Sequence, residues 1–184
     1  SCILSNSVPV NSKEIECNFL ISFGTYVCEL QNVNLTGIDD NVILSVGGAH
    51  LLNRSNEDVR RVTIRNSQVT NIISQFFSIF PGLTQFFMLS SELHNVRAGS
   101  FANAKNLNVI NFEGNNLRNI LSNAFIGASN VFELILPSNN IQTFDRNAFS
   151  GLNNVDILVL SGNPIRVIPP NLFRPLIRLR TVLL

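Results

Sequence analysis

The chain has no tryptophan, one tyrosine and one methionine among its 184 residues, and only 14% of its residues are charged. Since 45% of the residues are hydrophobic, the composition excludes a disordered polar chain, which needs the opposite balance. The formal net charge of +1 gives no overall attraction to nucleic acid. Long apolar runs are also missing, and no stretch approaches the ~20 apolar residues of a membrane span. We therefore expect one domain with its own core and no membrane span.

The residue patterns that carry catalysis are missing too. The two histidines, His50 and His94, are far apart, and neither has a cysteine, aspartate or glutamate nearby at the spacing of metal ligands. The chain has no GxSxG, no phosphate-binding glycine loop and no HExxH motif. Asp39-Asp40 is an isolated acidic pair, which we interpret as a solvated turn. The sequence therefore predicts neither an enzyme nor a cofactor or metal site.

The chain has only three cysteines, Cys2, Cys17 and Cys28, and all of them lie in its first sixth. Cys17 and Cys28 flank the turn-like Phe23-Gly24-Thr25 with alternating apolar and polar residues on both sides, which suits a disulfide across a hairpin. Two free buried thiols are the alternative. A disulfide indicates an oxidising compartment, so we expect a secreted or extracellular protein whose signal peptide has been removed. Cys2 is left over, and either pairs with another molecule or is free.

A repeat of constant length dominates the rest of the chain. An apolar residue opens each of six segments, at a regular spacing of 24 positions: Val59, Leu83, Leu107, Val131, Val155 and Leu179. Further apolar residues follow three and five positions later in every segment. A small polar residue stands at position nine of the segments, as Ser67, Ser91, Asn115, Asn139 and Asn163. A phenylalanine stands near each segment's end, as Phe77, Phe101, Phe125, Phe149 and Phe173. Such self-similarity at a fixed period is the signature of stacked repeats.

The pattern LxxLxLxxNxL resembles the extracellular, 24-residue class of the leucine-rich repeat family, over residues 59–184. The cap before it, residues 14–58, is similar to that of secreted insect members in its Gly47-Gly48-Ala49-His50-Leu51 segment and its Asn56-Glu57-Asp58-Val59 entry to the first repeat. This resemblance implies an α/β solenoid, mostly β with an irregular or 3₁₀ convex side, built as a right-handed curved array with a disulfide-stapled N-terminal cap. It also implies a phenylalanine spine and a ladder of position-nine asparagines that bind backbone groups of the adjoining turn. Because serine reaches less far, we expect a ladder that is weaker, or completed by water, in the first two turns.

We predict four segments: a flexible N-terminus at 1–13, the cap at 14–58, five repeats at 59–178, and the start of a sixth repeat at 179–184. Within the cap we expect a hairpin whose first arm runs from Glu14 to Phe19 and whose second arm runs from Tyr26 to Leu30 and pairs with the first repeat strand. The sixth repeat stops early, so we expect either a longer array or a strand edge covered by another subunit. Charge also divides the chain, because residues 1–58 hold seven acids and two bases while residues 59–184 hold five acids and eleven bases.

The concave sheet of such a solenoid presents variable side chains at regular spacing, which suits protein recognition. Alternation along each strand places positions three, five and seven on that face. The apolar residues among them should form a contiguous strip that a partner covers, although a simple preference for sheet-forming residues is the alternative. The predicted partner-binding residues are Arg61, Thr63, Phe87, Leu89, Val109, Asn111, Glu113, Glu133, Ile135, Ile157 and Val159.

These features together favour a non-catalytic extracellular recognition module, secreted or part of a receptor ectodomain, with innate immunity as one setting implied by the resemblance. The expected partner is a protein ligand, a co-receptor or a second subunit in a homo- or heterodimer, or else a lipid-like apolar ligand, and not nucleic acid. Two sequons predict a glycan at Asn34 or Asn53. The alternative function is a structural or adhesion protein that assembles through the C-terminal edge or Cys2, and a secreted inhibitor or effector is a third.

Overall fold

A computed structural model of the protein describes residues 12–38 and 42–184. The predictions on Cys2 and on the pair Asp39-Asp40 lie outside the described residues, as does most of the segment predicted to be flexible. Strand β1 begins at Ser12, so the last two residues of that segment belong to a strand.

The N-terminal cap contains four strands, β1 (Ser12–Glu16), β2 (Asn18–Ser22), β3 (Thr25–Gln31) and β4 (Ile43–Gly47). Strands β2 and β3 form an antiparallel hairpin. The two residues at its tip, Phe23 and Gly24, have positive φ angles of 49° and 76°, as the tight turns of hairpins require. A disulfide joins Cys17 to Cys28, with 5.2 Å between their Cα atoms. The predicted staple is therefore confirmed.

The predicted first arm of this hairpin, from Glu14 to Phe19, is wrong in its extent. The chain changes partners at Cys17, whose N–H donates to Gly47 O at 3.0 Å. Before that point β1 pairs in parallel with β4, and only after it does β2 pair with β3. The prediction failed because Gly47 lies far along the chain from Cys17, beyond both arms of the hairpin, and no local pattern marks that pairing.

A short 3₁₀ helix (Asn56–Asp58) leads from the cap into the repeats, and Ser55 and Asp58 form a capping box at its start. The repeats then contribute β5 (Arg61–Arg65), α1 (Phe76–Ile79), β6 (Gln85–Leu89), β7 (Val109–Asn111), β8 (Asn119–Ile120), β9 (Glu133–Ile135), β10 (Thr143–Phe144), β11 (Ile157–Val159) and β12 (Thr181–Leu183). Strands β8 and β10 form a separate parallel pair, and turns and irregular segments make up the rest of the repeats.

One eight-stranded sheet runs through the molecule in the order β12-β11-β9-β7-β6-β5-β3-β2. From β5 onward, residues 24 positions apart lie directly opposite each other, and all these pairs are parallel. The second arm of the cap hairpin continues the sheet, since β3 pairs in parallel with β5. The predicted in-register solenoid is confirmed. The cap hairpin belongs to the same sheet, whereas β1 and β4 form a separate two-stranded sheet.

The core follows the repeat. Apolar residues at positions one, four and six are almost fully buried in the five complete repeats. The five repeating phenylalanines form the predicted spine, with successive ring centroids 5.6, 5.7, 6.4 and 6.1 Å apart from Phe77 to Phe173. Aromatic pairs at such separations add stabilisation beyond the area they bury. Because each turn contacts only its neighbours, stability accumulates turn by turn.

The asparagine ladder connects neighbouring turns through the buried side chains of Asn115 and Asn139 and the half-buried side chain of Asn163. Asn139 Nδ2 donates to Phe112 O of the preceding turn at 2.8 Å, and its Oδ1 accepts from Leu117 N at 3.1 Å. Asn115 and Asn163 make the same two connections. The serines at this position accept one bond from the preceding turn and donate only within their own turn. This difference agrees with the weaker ladder predicted for the first two turns.

A second asparagine ladder, which was not among the predicted features, lies at position 24 of the repeats. Asn106, Asn130 and Asn154 donate to the carbonyls of Pro81, Lys105 and Ser129 in the preceding turn, at 2.9, 2.7 and 2.8 Å. The first repeat has Gly82 here, and Arg60 Nη1 donates instead to the equivalent carbonyl, Glu57 O, at 2.6 Å. A Cβ at Gly82 would overlap Arg60 Nη1. The missing side chain thus makes room for an arginine that replaces the asparagine.

Candidate partner-binding face

The concave face of the sheet presents two columns of outward side chains, fixed by the register of the strands. One column comprises Arg61, Gln85, Val109, Glu133, Ile157 and Thr181. The other comprises Thr63, Phe87, Asn111, Ile135, Val159 and Leu183. All eleven residues predicted for partner binding lie on these columns or directly beside them. The structure therefore brings the predicted set together on one surface.

The front of this face, the end next to the cap, carries charged side chains that are held in place by contacts with neighbouring side chains. The Arg61 guanidinium lies over the Phe87 ring, 5.3 Å from its centroid. Arg65 Nε donates to Glu29 Oε1 at 2.8 Å in an ion pair. Burial lowers the pKa of Arg61, and the neighbouring charge of Arg65 lowers it further. Two cations near one carboxylate give this end of the face a positive excess.

Glu29 also belongs to this face, although it is not among the residues predicted for partner binding, and the sequence carries a signal for it. Strand β3 alternates around Cys28, which faces the core, so Glu29 must face outward. The pairing of β3 with β5 then places Glu29 directly opposite Thr63. The cap therefore extends the concave face by one strand and supplies its acidic group at the front.

Two residues of the predicted set are not available to a partner. Thr63 is 2% exposed and Val109 is 7% exposed. Thr63 lies between Glu29 and Phe87 on the neighbouring strands, and these two side chains contact Arg65 and Arg61 respectively. The position of each residue in the repeat correctly predicts that its side chain is on the concave side of the sheet. Its solvent exposure depends instead on the size of the neighbouring side chains.

The predicted contiguous apolar strip is also divided. Asn111 stands between Phe87 and Ile135 in its column, and its Oδ1 accepts from Glu113 N at 2.9 Å. The half-buried and exposed apolar residues of the face therefore form two groups. The front group is Phe87 with Leu89, and the rear group is Ile135, Ile157, Val159 and Leu183. A polar band containing Asn111, Glu113 and Glu133 separates them.

The described residues contain no group of three or more His, Cys, Asp or Glu side chains that could hold a metal ion. No helix among them is long and apolar enough to cross a membrane. His50 has a structural role in the cap. Its ring stacks on that of Phe19, with 3.9 Å between the ring centroids. Its Nδ1 lies 2.9 Å from Tyr26 Oη, and its Nε2 lies 3.0 Å from Asn56 Oδ1. Both sequon asparagines, Asn34 and Asn53, are exposed.

Comparison with protein-family models gives two matches to the family described as leucine rich repeat, over residues 81–141 and 129–184. Together these matches cover more than half of the chain. The chain belongs to the leucine-rich repeat family. The matched region begins within the first repeat and includes the rear group of the concave face. A comparison with curated proteins gave no match.

Solved structures of leucine-rich repeat fold resemble the chain along most of its length. One is the crystal structure of a TLR13-ssRNA13 complex, with a TM-score of 0.65, 21% identity and 77% of this chain covered. Another is the Toll-Spatzle complex of Drosophila, with a TM-score of 0.63, 23% identity and 76% covered. The chain spans about a fifth of those proteins, 21% of the first and 19% of the second. At these identities the likeness shows the fold.

Proposed function

We propose that this leucine-rich repeat chain is a non-catalytic recognition module that binds a protein partner through its concave sheet. The observation that carries the proposal is the register of the sheet, which holds exposed or half-buried side chains from six repeats and the cap on one rigid surface. Rigid placement matters because side chains that are already ordered lose little entropy on binding. The partner is a protein ligand, a co-receptor or a second subunit.

The chemistry of the face defines a partner that is acidic at one end and apolar at the other. Arg61 and Arg65 at the front favour a carboxylate, since guanidinium groups bind carboxylates through paired hydrogen bonds. Ile135, Ile157 and Val159 at the rear favour an apolar side chain or a short apolar strand. A surface of this kind, which combines apolar groups with charged and polar neighbours, resembles the contact regions of protein interfaces.

We place the module outside the cell, as a secreted protein or as part of a receptor ectodomain. The Cys17–Cys28 disulfide supports this, because such bonds persist in oxidising compartments. Exposed Asn34 and Asn53 are available for glycosylation there. Innate immunity is one setting that fits, and the Toll-Spatzle complex, which the chain resembles in fold, is described as a molecular hub in Drosophila development and innate immunity.

The test is affinity capture from extracellular fluid of the source organism, with partners identified by mass spectrometry. The wild-type chain is compared with Ile135→Lys/Val159→Glu, which places opposite charges on two directly opposed residues and so avoids repulsion within the sheet. The control is Ile126→Lys/Ile177→Glu, at exposed apolar sites outside the concave face. We expect a partner that wild type and control retain and the concave variant loses. Retention by the concave variant would place the interface elsewhere.

A further inference from the structure

A second surface, away from the concave sheet, carries a groove between the fourth and fifth repeats. It has a volume of about 580 Å³ and is lined by Arg146, Asn147, Pro170, Asn171, Arg174 and Pro175. Asn147 and Asn171 stand at the same position of successive repeats, so their side chains follow one another along the solenoid. Neither an acidic nor an aromatic residue lines the groove.

The two arginines of the groove have no acidic partner in the part of the chain that the structure describes. The ion pairs found there are Arg54–Asp58, Arg65–Glu29 and Arg180–Asp156. Asp145 is adjacent to Arg146 in sequence, but its carboxylate accepts from Ser122 N at 3.0 Å and from Asn119 Nδ2 at 3.2 Å on the preceding turn. The positive charge of the groove is therefore uncompensated.

The groove is also built on a firm backbone. Pro170 and Pro175 fix their own φ angles, and Arg174 N donates to Asn171 O at 3.0 Å in a turn between them. This turn sets the position from which the Arg174 side chain projects. Both arginine side chains are exposed, and the groove beside them is open to solvent. A ligand would meet two guanidinium groups and two carboxamides in one recess.

We propose that this groove binds a sulfated glycan. The planar guanidinium groups of Arg146 and Arg174 match the oxygen atoms of sulfate esters through charge-assisted, paired hydrogen bonds. The carboxamides of Asn147 and Asn171 both donate and accept, as sugar hydroxyls require. A single-stranded nucleic acid is disfavoured because the groove offers no aromatic ring for base stacking. A membrane surface is disfavoured because the charges surround a recess.

The experiment measures binding of a heparin octasaccharide to the whole chain by calorimetry at fixed salt. Arg146→Gln/Arg174→Gln is compared with Arg97→Gln/Arg118→Gln, which removes the same charge from two other exposed arginines that lack an ion pair in residues 12–38 and 42–184. We expect the dissociation constant to rise about tenfold or more in the groove variant and less than about threefold in the control. Chemically desulfated octasaccharide should bind wild type at least about tenfold more weakly.

Three results would overturn the proposal. The first is no binding of the octasaccharide by the wild-type chain. The second is an equal loss in both double variants, because it would mean that only the overall charge matters. The third is binding of a single-stranded oligonucleotide of equal charge, or of vesicles containing phosphatidylserine, that matches octasaccharide binding and depends equally on the two groove arginines. Circular dichroism of all variants confirms that the fold is retained, since the substituted side chains are exposed.

Discussion

Replacing Asn139 with alanine should destabilise the protein far more than replacing its neighbour Asn140. Asn139 is 5% exposed, and its amide nitrogen has three carbonyl acceptors, Phe112 O, Leu136 O and Pro137 O, at 2.8, 3.3 and 3.1 Å. Its Oδ1 accepts from Leu117 N at 3.1 Å. The exposed side chain of Asn140 makes one long bond of 3.4 Å to Asn116.

The expected loss in the free energy of unfolding depends on which buried groups lose their last hydrogen-bond partner. Each of the three carbonyls keeps another donor, from Asn115 Nδ2, Asn163 Nδ2 or Gly114 N. Leu117 N–H loses its side-chain acceptor and stays buried, which costs about 1–3 kcal/mol. Losing the shared bonds to the carbonyls adds about 1 kcal/mol, since the acceptors remain paired. We therefore expect Asn139→Ala to lower the free energy of unfolding by about 2–4 kcal/mol, and Asn140→Ala by less than about 0.5 kcal/mol.

Asn139→Ser separates the two functions of the ladder residue. A serine can still accept from a neighbouring turn, as Ser91 does from Ser67 N at 3.3 Å, but it does not reach the carbonyl of the preceding turn. Its cost should lie between those of Ala and the wild type. The assays are chemical denaturation and amide hydrogen exchange, in which Leu117 loses protection in Asn139→Ala. Equal stability of Asn139→Ala and Asn140→Ala, or unchanged exchange at Leu117, would refute this account of the ladder.

Three other predictions concern the spine, the acid response and modification. Phe125→Ala removes a buried ring whose centroid lies 5.7 Å from that of Phe101, and should cost about 3–5 kcal/mol in denaturant unfolding. The pKa of Asp145 is lowered, chiefly because Ser122 N–H donates to its carboxylate. That stabilisation is present at neutral pH and lost as the pH falls through the lowered pKa, so Asp145→Asn should lose less thermal stability between about pH 6 and pH 3 than wild type. Protein from a secretory host should carry extra mass that Asn34→Gln or Asn53→Gln removes.

Each of these three predictions would be contradicted by a specific result. A cost below about 1 kcal/mol for Phe125→Ala would mean that the spine repacks around the gap. An identical acid response in wild type and Asp145→Asn would show that the bonds to that carboxylate do not contribute to folding. An intact mass equal to that of the bare chain would rule out the glycan.

Much of the fold could be predicted because, in a stacked repeat, the spacing of residues along the chain also determines which residues contact each other in neighbouring turns. Once Val59, Leu83 and their successors fix a constant period, stacking places each residue opposite its equivalent in the next turn. The strands, the spine and the asparagine ladder all follow from that one spacing. The concave location of the predicted site follows from the alternation of side chains along each strand.

The strand pairing within the cap could not be predicted in the same way, and neither could the effects of residues that depart from the repeat pattern. The pairing of β1 with β4 joins segments that share no periodic relation. The apolar strip was predicted to be contiguous, although Asn111 was visible in the sequence, because its effect depends on which side chains lie on either side of it. Likewise the replacement of a ladder asparagine by Arg60 depends on the space left by Gly82.

By itself, then, the sequence determined the solenoid, its register and the side of the sheet that each repeat residue faces, because these depend on spacing along the chain. Only the tertiary structure decided which of those residues remain exposed, as the burial of Thr63 and Val109 shows. It alone brought Arg146 and Arg174 together in a groove without an acidic partner in the described chain. The physical reason is that periodicity sets direction, whereas burial and local charge depend on the size and chemistry of side chains from other turns.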